Sequence, residues 1–150
     1  MLYSEKYDLA TIRKENFDFV EFVSPYLSVS DQLIDLGCGT CRKVVRFAPL
    51  VKRVTAVDHN EIMLQSAEKR IAYSNILNID LFLGDNLHAA FNSHIYDVCT
   101  TALSVWSAAE VHRLLKGGGV VFYRNTLSGR QIRNKRSFRK RRHRIQRIFV

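Results

Sequence analysis

The stretch Gln32-Leu33-Ile34-Asp35-Leu36-Gly37-Cys38-Gly39-Thr40 decides the fold. Its first five residues form a short apolar run that stops at a glycine cluster, which predicts a buried strand followed by a sharp turn. Glycine lacks Cβ, so the chain can reverse tightly and a ligand can approach the backbone closely. A helix is predicted next over residues 42–51, with Val44, Val45, Phe47 and Ala48 available to face a sheet. Its first turn would offer unpaired N–H groups and the positive end of a helix dipole. A Gly-x-Gly by itself does not separate a ligand loop from a turn built for packing.

Working outward, residues 10–23 carry Ile12, Phe17, Val20 and Val23 near the helical period, and Pro25 ends that series. Downstream, Val54-Thr55-Ala56-Val57 is β-branched and short, a second strand. Asn60 is placed to cap the next helix, with Glu61 in its first turn and Ile62, Met63, Leu64, Ala67 and Ile71 along it. Ile79–Leu83 reads as a third strand and residues 97–103 as a fourth. Ala108, Val111, Leu114 and Leu115 mark a helix ending at Lys116 and the Gly117-Gly118-Gly119 stop, before a fifth strand over residues 120–123. Strands alternating with helices through short connections give right-handed βαβ units and a parallel sheet covered on both faces.

In such a sheet, ligands bind at the carboxyl ends of the strands, where the strand order switches. Four ends carry polar or glycine residues. The first is the Asp35 to Thr40 turn. The second is Asp58, 21 residues after Gly37, where a carboxylate grips a ribose diol in nucleotide sites. Its competing role, capping the next helix, is already open to Asn60, which leaves Asp58 freer. The third is Gly84-Asp85-Asn86, where Asp85 is placed either to accept from an adenine amino group or simply to make a turn. The fourth is Thr100-Thr101-Ala102, of which Thr101 is the candidate, although threonine also simply favours strands.

Taken together, the order and spacing of these pieces resemble the class I S-adenosylmethionine-dependent methyltransferases, and within them the small type 11 group. The resemblance covers about residues 3–123. Asp35-Leu36-Gly37-Cys38-Gly39-Thr40 matches that family's first motif, Asp58 its ribose-holding acid, and Gly84-Asp85 its adenine-reading motif. His59 and Met63 stand where the family packs side chains on the adenine. Arg113-Leu114-Leu115-Lys116-Gly117-Gly118-Gly119 resembles the turn before its fifth strand. The resemblance implies an α/β, Rossmann-like, doubly wound and mostly parallel sheet of five strands with helices on both faces. It also implies S-adenosyl-L-methionine as cofactor, and methyl transfer to an unidentified, small-molecule acceptor. The implied cofactor-binding residues are Asp35, Gly37, Cys38, Gly39, Asp58, His59, Met63, Asp85, Asn86 and Thr101. No catalytic residue is implied, because a sulfonium methyl is already activated and the protein mainly holds the reactants in line.

Three departures from the family stand out. Cys41 replaces a third glycine, and a side chain there is expected to crowd the loop. The stretch between the fourth strand and Lys116 is short. Beyond residue 123, only Ile132, Phe138, Ile145, Ile148 and Phe149 are the main apolar residues available for the family's sixth and seventh strands. Residues 144–150 suit one edge strand. An uncovered fifth strand would invite pairing with a second copy.

Charge divides the 150-residue chain in the same place. Net charge is +9, from 23 basic and 14 acidic residues. Residues 124–150 hold 11 of the basic residues and no acid, which leaves 12 against 14 in residues 1–123, a net of −2. We therefore read residues 1–123 as the methyltransferase core and 124–150 as a basic tail. Clustered cations suit nucleic-acid phosphate, but Phe138 is the only aromatic there before Phe149, so base stacking is poorly supplied.

Three cysteines fit a reducing, cytoplasmic setting better than a disulfide scaffold. The absence of an apolar leader region and of a long apolar run leads to the same expectation, with no membrane span. Cys38-x-x-Cys41 lacks a second pair to complete a zinc site, and the five histidines share no ligand spacing. Tyr3 and Tyr7 are candidates to fold over the cofactor, while Trp106 and Tyr96 read as packing residues. Three other readings stay open. One is a degenerate fold that binds the cofactor without turnover, and another is a nucleic-acid-associated protein using its tail. The last is a nicotinamide dehydrogenase, disfavoured because Arg42 stands where its third glycine belongs.

Overall fold

The computed structural model describes residues 2–14, 18–124 and 145–149. Strands β1 (Gln32–Leu36), β2 (Arg53–Asp58), β3 (Ile79–Leu83), β4 (Tyr96–Ala102), β5 (Leu115–Arg124) and β6 (Ile145–Phe149) form one sheet in the order β3-β2-β1-β4-β5-β6. The first five run parallel, and β6 lies antiparallel along β5 from Val120↔Phe149 to Arg124↔Ile145. The sequence direction reverses between β1 and β4, so the switch point falls at the Asp35 end of β1.

Helices α1 (Tyr3–Lys14), α2 (Phe19–Val23), α3 (Val44–Phe47), α4 (Glu61–Ser74) and α5 (Ala108–Leu114) complete the fold. On one face Phe19, Val23, Val44, Phe47 and Ala67 from α2, α3 and α4 pack on Leu33, Val54, Ala56, Val98 and Phe122. On the other, Val111 and Leu114 of α5 pack on Ile34, Leu36, Cys99, Val121 and Tyr123. Every strand from β1 to β5 supplies one or both layers, the pattern expected of a doubly wound sheet.

Several predicted boundaries differ, each for a local reason. The helix predicted over residues 10–23 is two helices. Asp18 caps α2 by accepting from Val20 N and Glu21 N, so a new helix starts there. Phe17 and the side chain of Ile12 lie outside the described residues. The helix predicted over 42–51 is α-helical only at Val44–Phe47, and Pro49 puts its end into a 3₁₀ turn. Asp58 lies within β2 rather than beyond it.

The Gly117-Gly118-Gly119 stop is instead a bulge inside β5. Leu115 already pairs with Tyr96, and the register shifts before Val98↔Val120. Gly118 has φ +81, and a Cβ on Gly119 would lie 2.9 Å from Lys116 O, so bulky residues do not fit this bend. The expectation of an uncovered fifth strand does not hold, because β6 pairs along it, and with it goes the stated reason for a dimer. The basic residues 125–144 lie outside the described residues. Among the described residues no helix is long and apolar enough to cross a membrane.

Candidate functional site

The turn after β1 is tied to β2 by its backbone. Gly37 N and Cys38 N both donate to Val57 O, at 2.8 and 2.9 Å. Gly37 has φ +83 and Gly39 φ +55, conformations that glycine adopts without penalty. A Cβ on Gly39 would meet only Tyr7 Cε1, at 4.0 Å, so the loop is open there. Asp58 completes the turn: its Oδ2 accepts from Gly39 N at 2.7 Å and its Oδ1 from Asn60 N at 2.9 Å.

That arrangement corrects one expectation. Asn60 does cap α4, accepting from Ile62 N and Met63 N, but Asp58 is not thereby freed. It is 6% exposed and braces the glycine loop against the start of α4. Asp58→Ala is therefore expected to lower unfolding stability by about 2 kcal/mol, as charge-assisted bonds to buried N–H groups are lost. Urea unfolding checks this, and it means that lost ligand binding in this variant would not by itself identify a ribose contact.

A cleft opens beside the loop. It is lined by Asp35, Gly37, Cys38 and Gly39 of the predicted set, together with Thr40, Arg42, Lys43 and Ala102, and Tyr7 and Asp8 from α1. The other predicted residues do not line it. His59 projects into solvent, its Nδ1 3.7 Å from Asp58 Oδ1. Met63 is buried under α4. Asp85 is exposed, and its carboxylate accepts from Leu87 N at 2.8 Å, which makes the turn. Asn86 is buried and donates to Ser104 Oγ. Thr101 is buried with a hydroxyl that has no partner.

Asp35 dominates the cleft's electrostatics. Burial pushes its carboxyl up to about 6; a hydrogen bond from Thr100 Oγ1 and the Lys43 ammonium oppose this, and the Asp58 carboxylate adds to it. At neutral pH a charged carboxylate thus lies buried beside an open cleft, a complement for a cationic ligand. Arg42 and Lys43 give the same cleft positive groups.

Cys41 does not crowd the loop. Its φ is +59, the left-handed region a third glycine would occupy freely, yet its side chain is fully buried in the core layer with Val44 and Phe47. A hydrogen bond with Cys41, and then burial, push the Cys38 thiol up, and burial pushes Cys99 up, so both stay protonated at neutral pH. Among the described residues no three His, Cys, Asp or Glu side chains gather as metal ligands.

Asp8 was not anticipated from sequence. It accepts from Thr40 Oγ1 at 2.7 Å and from Arg70 Nη2 at 2.6 Å, which docks α1 onto both the loop and α4. Tyr7 reaches the cleft as a result, whereas Tyr3 is exposed and does not line it. Nothing in the sequence near Asp8 signals partners 32 and 62 positions away. Arg42 entered the sequence reading only as the residue standing where a dehydrogenase has its third glycine, and Lys43 did not enter it; both line the cleft.

Comparison with known proteins identifies the family. A family model described as a methyltransferase domain matches residues 33–119. The chain is 30% identical over 113 residues to a ubiquinone/menaquinone biosynthesis C-methyltransferase of Zymomonas mobilis, covering 70% of this chain and 46% of that one. It is 32% identical over 106 residues to a malonyl-[acyl-carrier protein] O-methyltransferase of Serratia marcescens, covering 66% and 40%. The chain thus spans less than half the length of these curated relatives. A SAM-dependent methyltransferase structure from Aquifex aeolicus superposes with a TM-score of 0.71 at 15% identity, covering 90% of this chain and 79% of that one; at that identity the likeness speaks for the fold. With the motif, the switch-point cleft and the family match in agreement, this chain belongs to the class I S-adenosylmethionine-dependent methyltransferase family.

Proposed function

We propose that the chain binds S-adenosyl-L-methionine in the cleft at the end of β1 and transfers its methyl group to a small-molecule acceptor in the cytoplasm. The observation that carries this is the ionised, buried Asp35 carboxylate beside the unobstructed Gly39 backbone. The residues fit the group. Gly39 admits a ligand against the backbone, Asp35 complements positive charge, and Arg42 and Lys43 complement a carboxylate. The relatives' names differ in the acceptor atom, carbon in one and oxygen in the other, so what they share is the donor half of the reaction. The three free cysteines support the cytoplasmic reading.

When bound, the cofactor supplies an activated methyl group that needs no further chemistry from the protein. This chain's residues then have three tasks. The glycine loop holds the ligand's position, Asp35 and the flanking cations orient its charged end, and α1, through Tyr7, shields the cleft from water. Positioning of this kind is worth roughly 7–11 kcal/mol of barrier when the reactants are held at near-attack distance. His59, Met63, Asp85, Asn86 and Thr101 remain the proposed contacts for the nucleoside end, with Asp58 acting through the loop.

Calorimetric titration with S-adenosylmethionine and S-adenosylhomocysteine tests the reading. Dissociation constants between about 1 µM and 1 mM are expected, weakened at least tenfold in Asp35→Ala. No heat of binding at millimolar ligand would overturn it. Binding without methyl transfer to any acceptor pool would select the cofactor-binding module over the enzyme.

A further inference from the structure

Ser104 sits directly on Gly37. A Cβ built on Gly37 would lie 2.1 Å from Ser104 Oγ and 2.4 Å from Ser104 Cβ. From the other side, Asn86 Nδ2 donates to the same hydroxyl at 2.8 Å. Asn86 follows β3 and Ser104 follows β4, while β2 and β1 lie between those strands. One hydrogen bond therefore joins two connections across the carboxyl ends of β2 and β1.

Two unfavourable features flank this contact. Leu103, immediately before Ser104, has φ +61, a left-handed conformation that is strained for leucine. It is pinned there by Leu103 N donating to Arg124 O at 2.8 Å. Strain of this sort persists only where the surroundings enforce it. Meanwhile Asn86, 5% exposed, keeps its Oδ1 buried without a partner. A buried amide oxygen left unpaired is itself unfavourable.

The geometry points to a gate built from residues 103–106: the Ser104–Asn86 bond closes it over Gly37, and it lifts to let an adenosyl ligand lie along the ends of β1 to β3. This rests on the cofactor reading above. In the closed position the cleft is lined at Asp35 and Gly39 but not by Asp58 or Asp85. Lifting releases Leu103 from the left-handed region and exposes the Asn86 amide to the incoming ligand. Closure and nucleoside binding exclude one another, so apparent affinity scales with the open fraction.

Trp106, the only tryptophan of the chain, stands two residues beyond Ser104 and packs on Tyr123 with ring centroids 4.8 Å apart. It reports on the gate without any ligand. Ser104→Ala deletes the hydroxyl that closes the gate. Acrylamide quenching of Trp106 should rise, and S-adenosylhomocysteine should bind about threefold to tenfold more tightly. Leu103→Asn keeps the left-handed conformation with little strain and favours closure, so quenching and affinity should both fall by a similar factor. Leu103→Asp provides the same relief should the asparagine variant not fold. Opposite signs in the two kinds of variant support the gate, because general damage moves both the same way. Equal quenching in all variants, or affinities moving in one direction, overturns it. If no variant and no wild-type protein binds S-adenosylhomocysteine while quenching still shifts in opposite directions, the cofactor reading fails and the gate stands.

Discussion

Gly37→Ala is expected to lower stability by about 2–5 kcal/mol, since a Cβ there would meet closer contacts than at any other described glycine. Two independent penalties combine. At φ +83 an alanine Cβ strains its own backbone, worth about 1–2 kcal/mol. The same Cβ would lie 2.4 Å from Ser104 Cβ, which no side-chain rotation relieves, so residues 103–106 must move and the Asn86–Ser104 bond breaks. Gly39→Ala is the internal control. Its φ is +55, but its Cβ would meet nothing nearer than 4.0 Å, so only the backbone penalty applies and most of the damage should fall on ligand binding. Urea unfolding of the two variants should show Gly37→Ala the less stable by about 1–3 kcal/mol. Equal midpoints would mean that the loop after β4 does not press on the glycine turn.

Asp35→Asn is expected to stabilise the protein at pH 8 while weakening its hold on cofactor. The carboxyl's value rises from 3.8 unfolded to about 6 folded, chiefly through burial. The folded state therefore binds more protons than the unfolded one between those values, and stability falls as pH rises through the window. Below pH 3.8 there is no penalty; above pH 6 it reaches its full size, about 3 kcal/mol. Asparagine can still accept from Thr100 Oγ1 but carries no charge, so it removes the penalty, less about 1 kcal/mol for burying an amide N–H₂. The variant should thus be more stable than wild type by about 2 kcal/mol at pH 8, with the difference shrinking as pH falls, crossing zero between about pH 4 and 5, and reaching about 1 kcal/mol in favour of wild type in stronger acid. Lys43 lowers this carboxyl and Asp58 raises it, and both effects are smaller than that of burial.

Binding should behave in the opposite sense. A cationic ligand favours the ionised carboxylate, so wild-type affinity for S-adenosylmethionine should decline as pH drops below about 6, and the asparagine variant should show a weak, flat profile. Parallel thermal unfolding and calorimetric titrations between pH 4 and 8 measure both quantities. A variant no more stable than wild type at pH 8 would show that the buried charge is not under strain. The protein keeps a destabilising charge where a ligand can use it, a common exchange of stability for function.

The parts of this fold that were legible in the sequence are those governed by local rules. β1 and β3 fall where their apolar runs begin and end, and Asn60 caps α4 because its side chain needs only the next three residues. Gly37 and Gly39 were identifiable because no other residue takes such a turn without strain. Where two neighbouring residues compete for a single role, local rules do not decide. Asn60 made Asp58 look free, but only the folded loop shows Gly39 N pointing at it. The glycine triplet read as a stop; it became a bulge because Leu115 pairs with Tyr96 from another strand.

The sequence by itself thus determined the class of sheet, the glycine turn after Asp35 and the family, because these rest on periodicity, turn chemistry and motif spacing over short distances, while the strand order that makes this turn the switch point came from the sheet. Only the tertiary structure decided which way the Cys41 side chain turns, that Asp8 clamps α1 to Thr40 and Arg70, and that Ser104 closes over Gly37. Each of those depends on groups brought together from up to 67 positions away, and the free energy of such contacts is set by burial and geometry that no local stretch of the chain encodes.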